Sequence, residues 1–63
     1  GDGRVIDLQI SAVSDLLRTM ESQRAQMIDR NGETATDNYI NATRGAIESL
    51  KVLKHIYDNG QKN

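Results

Sequence analysis

Residues 6–27 read IDLQISAVSDLLRTMESQRAQM, and the spacing of their apolar side chains decides the fold class. Ile6, Ile10, Val13, Leu17, Met20 and Met27 follow alternating steps of four and three, with Arg24 filling the one missing place. Such steps return to the same side of a helix, because 3.6 residues complete a turn. The pattern belongs to a helix packed at a shallow angle against another. Val5, Ala12 and Leu16 widen the stripe toward the broader apolar face of a bundle helix. Asp7, Ser14, Asp15, Arg18, Glu21, Ser22 and Arg30 occupy the opposite face. The series predicts a helix over about residues 4–30.

Its first turns admit a second reading. From Arg4 to Ile10 apolar and polar residues alternate, with Ile6, Leu8 and Ile10 on one side and Asp7 and Gln9 on the other, as in a strand. Ser11 or Ser14 would then cap a shorter helix. Continuity of the heptad series through Ile6 and Ile10 favours the single long helix.

Arg30-Asn31-Gly32 is a stop signal, since Asn and Gly tolerate a left-handed backbone and a basic residue suits a helix C-terminus. The connection is expected over about residues 31–35, with Thr34 or Thr36 as N-cap and Asp37 and Asn38 in the first turn that follows. So short a link makes the flanking helices antiparallel neighbours. A second helix is expected over about 36–59. Ile40, Ile47, Leu50, Leu53, Ile56 and Tyr57 mark its main face with Thr43 in register, and Ala42, Gly45, Ala46 and Ser49 form a stripe of small residues beside it. Lys51, Lys54 and His55 lie in the last turns, where cations complement the helix dipole. Asn59-Gly60 ends the helix, and Gln61-Lys62-Asn63 is expected to fray.

The fold class read from these patterns is all-α: an antiparallel two-helix hairpin in a single domain spanning residues 1–63, assembling into a dimeric four-helix bundle. Sixty-three residues bury too little surface for an ample core. Chains of this size rely on disulfides, a metal, a partner or very regular helix packing. Cysteine is absent and His55 is the only histidine, which leaves regular packing and self-association. Gly45 sharpens the point. Glycine inside a helix costs up to about 1 kcal/mol relative to alanine, a cost offset where another backbone approaches closely. The start at Gly1-Asp2-Gly3, without methionine, is read as a domain cut from a larger protein.

Composition narrows the function classes. The net charge of −1 gives no general attraction to nucleic acid or anionic membranes, and no apolar run approaches the roughly 20 residues of a membrane span. Lack of cysteine fits a reducing compartment, the cytoplasm first. His55 has Lys51, Val52, Asp58 and Asn59 as helical neighbours, a surface setting with no orienting partner or pocket for catalysis. Asp15–Arg18 and Glu21–Arg24 have the spacing of surface pairs. Asn41-Ala42-Thr43 matches a glycosylation acceptor but falls inside a predicted helix, where it is read as chance. No cofactor and no metal is expected.

The expectation is a non-enzymatic interaction and oligomerisation module. Its interface residues are Ile10, Val13, Leu17, Met20 and Arg24 on the first helix, with Ala42, Gly45, Ala46, Ile47, Leu50 and Leu53 on the second. Arg24 on the apolar series either fixes register or oligomer state, or extends its head to water from the edge of the pair. The partner expected is a second copy, with an adaptor, chaperone or inhibitor docking on a larger protein as the alternative. A ribbon-helix-helix DNA-binding dimer ranks lower: its solvent-facing strand residues would be Asp7 and Gln9, with Arg4 alone basic.

Overall fold

The computed structural model describes residues 2–60, all of them helical except Gln23 and Gly32. Helix α1 spans Asp2–Ser22, α2 Arg24–Asn31 and α3 Glu33–Gly60. No strand occurs among the described residues, so Arg4–Ile10 belongs to a helix, and the strand that a ribbon-helix-helix arrangement requires is absent there. The heptad wins for a packing reason: helical spacing sets Ile6 in line with Ile10 toward α3, where only 8% of Ile6 stays exposed. The expected fraying of residues 61–63 lies outside the described residues.

The helix expected over residues 4–30 is interrupted at Gln23, whose φ of −106° and ψ of 16° lie in the bridge region. Helical hydrogen bonding still crosses the site, from Gln23 N–H to Thr19 O and from Met27 N–H to Gln23 O, both at 3.0 Å. The helical hydrogen-bond ladder therefore continues through the interruption. Just before Gln23 the Thr19 hydroxyl donates to Asp15 O and the Ser22 hydroxyl to Thr19 O, side-chain bonds of the kind that compete with regular helix geometry.

The connection is shorter than residues 31–35. Gly32 alone separates α2 from α3, with φ of 88° and ψ of 160°. Its N–H donates to Ile28 O at 2.8 Å and its carbonyl accepts from Thr36 N–H at 3.1 Å, so one residue ends one helix and starts the next. Thr34 and Thr36 lie inside α3 and do not cap it. Thr36 is fully buried, and its hydroxyl also donates to Gly32 O, at 2.7 Å.

Cross-helix contacts fix the relative direction of α1 and α3. Lys54 Nζ lies 3.0 Å from Asp7 Oδ2, and Arg44 Nη2 lies 2.6 Å from Glu21 Oε2. Early α1 therefore faces late α3, and the two helices run in opposite directions. Gly3 packs on Tyr57, where an added Cβ would sit 3.4 Å from Cε1 of the ring. Between these points Ile6, Ile40 and Ile47 are buried, while Ile10, Val13, Leu17, Met20 and Leu50 are half-buried. The body measures 51 × 16 × 11 Å along its principal axes, a layer one helix thick.

Candidate interaction face

The core line of α1 runs through Ile6, Ile10, Val13 and Leu17, and that of α3 through Thr36, Ile40, Thr43 and Ile47. Each residue turns a helix by about 100°, so every other position can be placed relative to these lines. In two helices of opposite direction, positions rotated in the same sense from their core lines fall on the same side of the pair. Glu21 and Arg44 are both rotated one way, and they touch. Val5, Ala12 and Leu16 are rotated the other way by roughly 100°, and so are Ala42, Ala46 and Leu53. These six share one side.

That side is apolar and exposed. Val5 retains 53% of its surface, Leu16 52% and Leu53 49%, with Tyr39 and Ile56 along the margins at 62% each. Ala35, Asn38, Tyr39 and Ala42 line a shallow depression at the end near Gly32. The polar side chains on this side, Gln9, Thr19, Asn38 and Ser49, are uncharged. Charge collects on the other side, where Ser14, Leu17, Arg44, Ile47, Glu48 and Lys51 border a second depression beside the Glu21–Arg44 pair.

The sequence-derived interface residues divide between these settings. Ile10, Val13, Leu17, Met20, Ile47 and Leu50 lie between α1 and α3, with Met20 Sδ 3.6 Å from the Thr43 hydroxyl. Ala42, Ala46 and Leu53 are exposed on the apolar side. Arg24 sits on α2, where Nη2 and Nε grip Asp37 of α3 at 2.9 and 3.1 Å and Glu33 lies 4.0 Å away. Gly45 is exposed with no atom within 4 Å of an added Cβ, so no backbone of its own chain approaches it. Rotation also carries Gly45 off the apolar side, away from Ala42 and Ala46.

Leu53, Ile56 and Lys54 depart from the sequence reading. Leu53 and Ile56 were expected on the main face of α3 with Leu50, yet both are exposed. Steps of three turn only about 300°, so each such step drifts about 60° around the helix. The core line passes instead through Leu50, Lys54 and Tyr57, in steps of four and three. Lys54 was read as a helix-end cation. Its stem occupies a core-facing position while the amine reaches Asp7 at 3.0 Å and Asp58 at 3.6 Å. The hydrogen bond to Asp7 raises its pKa above the ordinary lysine value; partial desolvation opposes this and the Asp58 charge supports it. The 3-4 register of Lys54 with Ile47 and Leu50 was the available signal.

His55 is exposed, and its Nε2 lies 3.0 Å from the Asn59 amide. Among the described residues no three His, Cys, Asp or Glu side chains converge on a point that would hold a metal ion. No helix of the described residues is long and apolar enough to cross a membrane. Comparison with protein-family models, curated proteins and solved structures finds no match to this chain.

Proposed function

We propose that this chain is a non-enzymatic protein–protein interaction and oligomerisation module: a helical hairpin that pairs with itself into a dimeric four-helix bundle. The observation that carries this reading is the thinness of the body. Domains are built from at least two layers enclosing a core, whereas here one layer buries only three aliphatic side chains, Ile6, Ile40 and Ile47, among the described residues. Most helical stability in proteins comes from packing of an amphipathic face, and isolated helix pairs are marginal. Two such layers stacked on each other supply the missing contacts.

Light scattering over a concentration series, with helical content followed on the same samples, tests the proposal. A highly helical dimer or higher oligomer supports it. A folded monomer at every concentration overturns self-association and turns the search to a different protein as partner.

A further inference from the structure

We infer that the surface used for this self-association is the uncharged side of the α1–α3 layer, with a second copy seated on it so that leucines of one copy rest on alanines of the other. The inference builds on the proposed function and names the face and its occupant.

Area argues for an occupant of this size. A compact protein of 7.0 kDa exposes about 4,000 Å² by the scaling of folded monomers. This chain exposes 4724 Å², about 700 Å² more. A standard interface takes about 800 Å² from each partner. Covering one side of the layer therefore brings each chain to the surface expected of a compact protein.

Chemistry selects the side and the occupant. The charged Glu21–Arg44 pair and the Asp7–Lys54 pair belong to the other side or to the line between the helices. Sealing charges away from water is costly, whereas among the described side chains the side bearing Val5, Leu16 and Leu53 has none to seal. Those side chains also offer no charge that would select a charged foreign partner.

An isologous contact must be its own complement, and this face carries both projections and hollows. Contacts of Asp7 with Lys54 and Glu21 with Arg44 set Leu16 level with Ala46, and Ala12 just short of Leu53. If the two turns lie at the same end of the dimer, Leu16 meets Ala46 of the second copy and Leu53 meets Ala12. If they lie at opposite ends, α3 crosses its own copy, Leu53 meets Ala42 and Tyr39 meets Ile56. Either arrangement sets large on small near the middle of the face.

Two measurements test the face. In the wild-type chain, methyl NMR with a soluble paramagnetic probe should show Val5, Leu16 and Leu53 shielded as concentration rises. Leu8 and Val52, exposed but rotated away from this side, should stay accessible. In parallel, Ala46→Glu should weaken the dimer at least ~100-fold, because it buries an unpaired charge, while Glu48→Ala on the charged side leaves it intact. A dimer in which Leu16 and Leu53 stay accessible and Ala46→Glu changes nothing overturns the face but keeps self-association. A wild-type monomer throughout overturns both.

Discussion

The hydroxyl of Thr36 donates to the carbonyl of Gly32 across 2.7 Å, and Thr36 is completely buried. The same carbonyl accepts the Thr36 N–H at 3.1 Å. The Gly32 carbonyl thus receives two hydrogen bonds from one residue where α2 meets α3. Doubling the bond from one residue lets the chain turn through Gly32 alone and seats the threonine methyl in the small core beneath it.

Gly32 should be the least replaceable residue of the turn. Its φ of 88° and ψ of 160° fall in a region open essentially to glycine. Nothing lies within 4 Å of an added Cβ, so the penalty is backbone strain and not a clash. Gly32→Ala is expected to cost about 1–3 kcal/mol, read by urea denaturation. An unchanged midpoint would show that the turn tolerates another conformation.

Gly45 should behave in the opposite way. It lies inside α3 with open space around an added Cβ. Gly45→Ala should therefore stabilise the chain by up to about 1 kcal/mol with no change in molar mass. Loss of the oligomer in this variant would instead place Gly45 at a close contact between chains.

Arg24 ties α2 to α3 through Asp37, with both side chains nearly half exposed. Exposed ion pairs contribute about 0.2–1 kcal/mol and weaken with salt. Arg24→Met is expected to lose about that much, with amide exchange rising first in Arg24–Asn31 and the molar mass unchanged. A change of oligomeric state in Arg24→Met would assign Arg24 the register-setting role considered from its place in the heptad.

Lys54 predicts the alkaline behaviour. Its pKa is raised in the fold, so its charged form is favoured there, chiefly by the hydrogen bond to Asp7. The resulting stabilisation is complete below the unfolded lysine value of about 10.4 and disappears as pH rises through the higher folded value. The stability difference between wild type and Lys54→Met should thus be flat from about pH 7 to 9 and shift against the wild type above about pH 10.4. A difference independent of pH across that range would remove Asp7 and Asp58 as effective partners of Lys54.

The sequence by itself determined the helical class, because only a helix brings Ile6, Ile10, Val13 and Leu17 onto one line. It also located the reversal, since Arg30-Asn31-Gly32 joins a basic residue suited to a helix C-terminus to two residues that tolerate a left-handed backbone. Two outcomes were left to tertiary structure. Periodicity marks which residues are apolar, but both stripes of α3 are apolar, and only packing against α1 decides that Ile47 turns inward while Ala46 and Leu53 remain outside. Propensity likewise allowed a cap at Thr34 or Thr36. The fold instead buries Thr36 at the crossing of α2 and α3, because one glycine with two hydrogen-bonded groups reverses the chain more tightly than a capped loop does.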